Sequence, residues 1–218
     1  MNSLNIPQIY DVREKDYNWF LNHYSDSISK DIIIYQHPDK DLCLGDYSVF
    51  TKSLQFYDDI HGELVEAIFP EMHTNSILLG WGADEYQTVH KSSNNSIGVL
   101  PADYAYNLSV LTNFNQEINQ KEHNSFINTI DNTHTVCFVM SDGDNIQWLL
   151  NWFFTDNRWF GSEHRGQVDI GWTISPALSE LAPTVMNKIY NSAANNNFGK
   201  DYFIAGPSGL SYCLLYHI

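Results

Sequence analysis

Residues 135–148, T-V-C-F-V-M-S-D-G-D-N-I-Q-W, restrict the fold more than any other stretch of the chain. Residues 136–140 form a short apolar run with β-branched members, long enough for a buried strand and too short for a helix. Ser141-Asp142-Gly143-Asp144-Asn145 interrupts the run with turn chemistry. Beyond it, Ile146, Leu149, Leu150 and Phe153 fall at i, i+3, i+4 and i+7, which is helical spacing. Two carboxylates and an amide therefore lie on a strand-to-helix turn. In α/β folds such turns sit at the carboxyl ends of the strands, where ligands bind.

The rest of the chain repeats the pattern. Asp16 can cap a helix with Tyr17, Phe20, Leu21 and Tyr24 on one face, and Ile32-Ile33-Ile34-Tyr35 reads as a strand. Asp46 can cap a second helix with Phe50, Leu54 and Tyr57 on its face, and residues 64–69 make a short helix stopped by Pro70. Further strands are predicted at 76–81, 97–100, 168–173 and 202–205, with helix starts at Ser175-Pro176 and Ala182-Pro183. Six strands alternating with polar loops and helices predict a parallel α/β sheet of TIM-barrel-like (β/α) type. A closed (β/α)8 barrel needs eight strands, so either further strands lack a sequence pattern or the barrel is partial, the expectation being one incomplete at the C-terminus. No internal linker is visible, and residues 1–218 read as one such domain.

Acidic residues recur where strands end: Asp84 and Glu85, Asp103, then Asp142 and Asp144. Parallel neighbouring strands would bring them to one rim. Paired carboxylates across a bound sugar are what glycoside hydrolysis needs, one donating a proton and the other attacking or activating water. Asp142, Asp144, Asp84 and Glu85 are thus the candidate catalytic acids, with helix capping as the competing role. Trp81, Tyr86, Trp148 and Trp172 offer flat faces for sugar rings, though tryptophans serve more often as core. Asp103, Asn145, Ser208 and Tyr212 complete the candidate substrate-binding set. Asp142 and Asp144, with Asn145, also supply hard oxygen ligands suited to Mg²⁺ or Ca²⁺, although the later ligands of an EF-hand loop are missing. Among nine histidines there is no H-E-x-x-H, and no phosphate-binding G-x-x-x-x-G-K-[ST] occurs. Gly206-Pro207-Ser208-Gly209 is not a G-x-S-x-G elbow and reads as a tight turn.

Charge narrows the partners. With 26 acidic against 11 basic residues the formal charge is −15, a field that repels nucleic-acid phosphates and anionic membranes. No apolar run approaches the length of a membrane span, so neither class of partner is expected. The three cysteines, Cys43, Cys137 and Cys213, form no paired framework, and Cys137 is expected to be a packed thiol inside its strand. No signal peptide is visible at the N-terminus. An extracytoplasmic location is expected if a parent protein carries one.

Several segments resemble, in order, the GxGYxYP family of putative glycoside hydrolases. They are L-L-G-W-G-A-D-E at 78–85, L-P-A-D-Y-A-Y-N-L-S-V-L at 100–111, V-C-F-V-M-S-D-G-D-N-I-Q-W at 136–148, G-W-T-I-S-P-A-L-S-E-L-A-P at 171–183 and F-I-A-G-P-S-G-L-S-Y at 203–212. The resemblance implies the C-terminal, barrel-like domain of a larger protein that processes carbohydrate. The motif that names the family would occupy residues 209–215. Gly209 and Tyr212 match, Ser211 stands where glycine is expected, and Leu214-Leu215 stand where Tyr-Pro is expected. That departure suggests a reading frame truncated near the motif, which would leave the sheet with an open edge.

Overall fold

The computed structural model describes residues 14–40, 43–120, 132–194 and 199–214. Helix α1 (Tyr17–Tyr24) starts where Asp16 accepts a hydrogen bond from the Trp19 N–H at 2.7 Å. Strand β1 (Ile32–Tyr35) follows, then α2 (Gly45–Thr51), β2 (Gln55–Phe56), α3 (Glu63–Ile68), β3 (Ser76–Gly80), α4 (Glu85–Asn94), β4 (Ile97–Leu100) and α5 (Leu108–Leu111). The second half holds β5 (Val139–Met140), α6 (Ile146–Asn151), β6 (Ile170–Ile174), α7 (Leu178–Leu181), α8 (Pro183–Asn191) and β7 (Asp201–Ala205).

The strands form two parallel sheets, ordered β2-β1-β3-β4 and β5-β6-β7. In the first, Ile33 pairs with Leu78 and Leu78 with Val99; in the second, Val139 pairs with Gly171 and Trp172 with Phe203. The strand order follows from β2, a two-residue element with no sequence pattern to announce it. It joins β1 on the side away from β3. The chain therefore leaves β1 in one direction through α2 and returns in the other through α3. Right-handed crossovers then place the helices on opposite faces. Tyr47 of α2 packs with Ile34, Leu79 and Leu100, while Val65 and Ile68 of α3 and Val89 of α4 pack with Ile33, Tyr35, Leu78 and Val99. Both faces being covered explains why β1 and β3 read as unbroken apolar runs.

The second sheet is covered on one face. Trp172, Ile174 and Phe203 pack with Ile146, Leu149, Phe153 and Phe160, and with Leu178, Met186 and Ile189 of α7 and α8. On the other face Val139 and Ile204 are exposed. A buried Asp201 fastens β6 to its surroundings. It accepts from the Trp172 indole N–H (2.7 Å) and the Ala194 N–H (2.6 Å), and pairs with the Arg165 guanidinium at 2.7 Å. After β7 the chain crosses to the first sheet, where Tyr212 forms an antiparallel bridge with Val99 through hydrogen bonds of 2.8 and 3.0 Å. That bridge occupies the side of β4 that faces away from β3.

The expectation of an α/β fold with parallel strands and helical crossovers is met. No strand pairing closes the sheets into a barrel among the described residues. Two local expectations are corrected. The predicted buried strand shrinks to β5, and Val136, Phe138 and Val139 are exposed, as is Cys137. β5 is an edge strand, so its apolar run marks strand-forming residues without marking which face is covered. Helix α2 ends at Thr51, with Lys52 in a left-handed conformation, so Leu54 and Tyr57 lie beyond it and Phe50 is exposed.

Candidate functional site

The loop after β5 is moulded against the end of β6. The Gly143 N–H donates to Thr173 Oγ1 (2.9 Å), the Thr173 hydroxyl donates to the Met140 carbonyl (3.0 Å), and the Ser175 N–H donates to the Gly143 carbonyl (2.6 Å). Only glycine fits at 143, since a Cβ there would overlap the Thr173 carbonyl. Asp142, just before it, adopts φ +72°, an uncommon conformation that aspartate tolerates better than most residues. The loop thus turns sharply and points Asp144 inward.

Asp144 is 5 % exposed. Its carboxylate Oδ2 accepts a hydrogen bond from the Ser208 hydroxyl at 2.7 Å, and the Tyr212 phenol forms a second side-chain hydrogen bond to it. Gly206 lets this turn come close, for a Cβ there would stand 3.0 Å from the Asp144 Cβ. Helix capping does not occupy Asp144. Asn145 stands at the N-cap of α6 and makes no side-chain bond to the helix.

Tyr212 reports on the electrostatics of the rim. Burial pushes its phenol far above the ordinary tyrosine range, and the charges of Asp144, Glu85 and Asp142 push it the same way, as does the hydrogen bond to Asp144. Glu85, from the β3–α4 turn, and Asp142 and Asp144, from the β5–α6 turn, therefore act on one phenol. Trp81, at the end of β3, packs edge-on against Tyr212 with ring centroids 5.6 Å apart. Carboxylates from two strand ends, two half-buried hydroxyl residues and the Trp81 and Tyr212 rings converge here.

Other predicted residues go elsewhere. Asp84 caps α4, accepting from the Gln87 N–H at 2.8 Å, and only its neighbour Glu85 bears on Tyr212. Asp103 is buried in an ion pair with Lys40, whose ammonium also lies over the Tyr104 ring. Its backbone carbonyl accepts from Gln36 Nε2 at 2.9 Å. Trp172 is a core residue at 3 % exposure, enclosed by Phe153 and Phe160, so no ring face is left for a ligand. Trp148 packs edge-on against Phe153 and Trp159 in the same aromatic cluster. Tyr86 is exposed and stacks on His90. Asn145 is half-buried at the start of α6, where its side-chain amide donates to the Asp142 carbonyl at 3.4 Å. Sequence reasoning missed Thr173, the anchor of the loop; a lone threonine at a strand end carries no signal for that role. Among the described residues, no group of three or more His, Cys, Asp or Glu side chains is placed to hold a metal ion. No helix among them is long and apolar enough to cross a membrane.

Residues 132–214 match the model described as "GxGYxYP putative glycoside hydrolase C-terminal domain", and residues 30–113 match the "GxGYxYP third domain". The chain belongs to the GxGYxYP family. It is also similar to a solved structure described as a "putative hydrolase from Bacteroides thetaiotaomicron VPI-5482", at 29% identity and a TM-score of 0.82. The match covers 98% of this chain and 42% of that one, so the chain spans less than half the length of that hydrolase. No curated protein matches. Within the GxGYxYP naming motif, Gly209 has φ +60°, the left-handed conformation that favours glycine. Ser211 is accommodated because Gly98 opposite it has no side chain, and Ser211 Oγ takes the space a Cβ would need. The Leu214 N–H donates to Ser93 Oγ at 2.8 Å. Leu215 lies outside the described residues.

Proposed function

We propose that this chain carries the acid/base centre of a glycoside hydrolase acting on carbohydrate. The observation that supports the reading best is the buried Asp144 carboxylate, held by two hydroxyls at a rim that Asp142 and Glu85 also reach. Asp144 accepts both bonds, which suits a fixed nucleophile or base. Asp142 and Glu85 are exposed, and one of them delivers the proton to the departing glycosidic oxygen. Trp81 and Tyr212 form the wall against which a sugar ring lies. The family description and the hydrolase title of the similar structure support the same class.

The test is a panel of 4-nitrophenyl glycosides and oligosaccharides, assayed with and without EDTA. Chelator-insensitive turnover, reduced at least a hundredfold by Asp144→Asn and by one of Asp142→Asn or Glu85→Gln, is the expected result. Turnover abolished by chelator would replace it with a metal-dependent hydrolase or deacetylase using Asp142 and Asp144. Binding of oligosaccharide without turnover would replace it with a carbohydrate-binding domain.

A further inference from the structure

We infer that Tyr212 and Ser208 are positioning residues: the segment 206–212 is a strap that runs from β7 to β4 and fixes Asp144 from above. The inference rests on the reading of Asp144 as a reacting carboxylate, and it adds what holds that carboxylate in place. Four observations carry it. Asp144 has two hydroxyl partners, and both lie on this strap. The strap is secured at its start by Gly206, seated against the Asp144 Cβ, and at its end by the paired backbone bonds between Tyr212 and Val99. Trp81 packs edge-on against the Tyr212 ring and helps to hold it. The next residue but one is held as well, through the Leu214 N–H on Ser93 Oγ.

The geometry also gives Tyr212 a donor's role beside Asp144. Its hydroxyl proton is shared with Asp144 and surrounded by negative charge. It therefore stays protonated through the working range and donates rather than attacks. A carboxylate fixed by two hydroxyl donors reaches the same geometry in every turnover, which is what a charge-bearing group in a polar transition state requires. Loop 141–145 is anchored by Thr173 on one side and by the strap on the other, so removing the strap bonds loosens the loop backbone, while the Thr173 bonds keep it from unfolding altogether.

The experiment compares the unaltered chain with Tyr212→Phe, Ser208→Ala, the double variant and Cys213→Ser, whose exposed thiol takes no part. Two readouts are used. The first needs no substrate: amide hydrogen exchange at residues 141–146, measured by mass spectrometry. Tyr212→Phe is expected to speed it roughly tenfold and Ser208→Ala several-fold, with Cys213→Ser unchanged. The second is the pH–rate profile on whichever 4-nitrophenyl glycoside the unaltered chain cleaves. Tyr212→Phe is expected to lower kcat roughly ten- to a hundredfold, to leave KM within about threefold, and to shift the acidic limb of the profile. Unchanged exchange at 141–146 in both Tyr212→Phe and Ser208→Ala overturns the inference. So does an unchanged kcat and pH profile in Tyr212→Phe when the unaltered chain is active. Faster exchange in a panel where even the unaltered chain cleaves no glycoside leaves the strap in place and overturns the proposed function instead.

Discussion

Gly143→Ala puts the link between loop shape and site geometry to a quantitative test. The added methyl would overlap the Thr173 carbonyl and stand 2.8 Å from the Ile174 nitrogen, where ordinary contact begins at 3.4 Å. The loop must retreat by about 1 Å or more, since both obstacles are strand backbone rather than a movable side chain. Retreat breaks the Gly143 N–H bond to Thr173 Oγ1 and the Ser175 N–H bond to the Gly143 carbonyl, both at buried positions. Each bond is worth about 1 kcal/mol, and overpacking strain costs about 1–3 kcal/mol more. The expected loss of stability is thus about 3–5 kcal/mol. Displacement of Asp142 and Asp144 by an ångström should also lower turnover of a cleaved glycoside by roughly a hundredfold. Urea unfolding followed by tryptophan fluorescence measures the first, and initial rates the second. A Gly143→Ala protein within 1 kcal/mol of the unaltered chain and equally active would refute the role given to the loop.

Asp201→Ala should cost about 3–5 kcal/mol in the same unfolding assay, because it strips the Arg165 guanidinium and the Trp172 indole N–H of their shared buried partner; a loss below 1 kcal/mol would contradict this. Asp84→Ala removes the α4 cap and should cost about 1 kcal/mol, while leaving glycoside turnover within twofold. The tyrosines also set an alkaline limit. Burial raises Tyr35, Tyr47, Tyr190 and Tyr212 above the ordinary value of 10.0, so the folded chain keeps protons that the unfolded chain releases. Their contribution is fully present below pH 10 and falls as the pH rises past it, so the melting temperature should drop between pH 9.5 and 11. A flat profile there would show that these phenols are not shielded.

Much of the local structure was legible because local chemistry decides it. The β-branched run 32–35, the Asp16 cap and the Pro at the start of α8 each appear where the sequence places them. Topology was less so. Gln55-Phe56 carries no periodicity, yet its pairing with β1 turns a succession of neighbouring strands into an order that reverses at β1. The candidate site is built from residue types that the sequence displays openly, acids at strand ends with aromatic residues beside them. The sequence lists acids at strand ends, but not their different settings: Asp84 goes to a helix cap and Asp103 to Lys40, while Asp144 turns inward. That last setting depends on contacts 64 residues away, at Ser208, which no local pattern encodes. Exposed aromatic faces were similarly ambiguous, and Trp172 proved to be a hydrogen-bonded core residue.

The strap that crosses from β7 to β4 has a consequence for how the protein comes to life on the ribosome. Its contacts reach as far as 121 residues back along the chain, from Leu214 to Ser93. Both sheets can emerge and begin to collapse while Asp144 still lacks its partners. The setting of Asp144 is finished only when residues 206–214 have cleared the exit tunnel, so translation that stalls before them leaves that carboxylate without Ser208 and Tyr212.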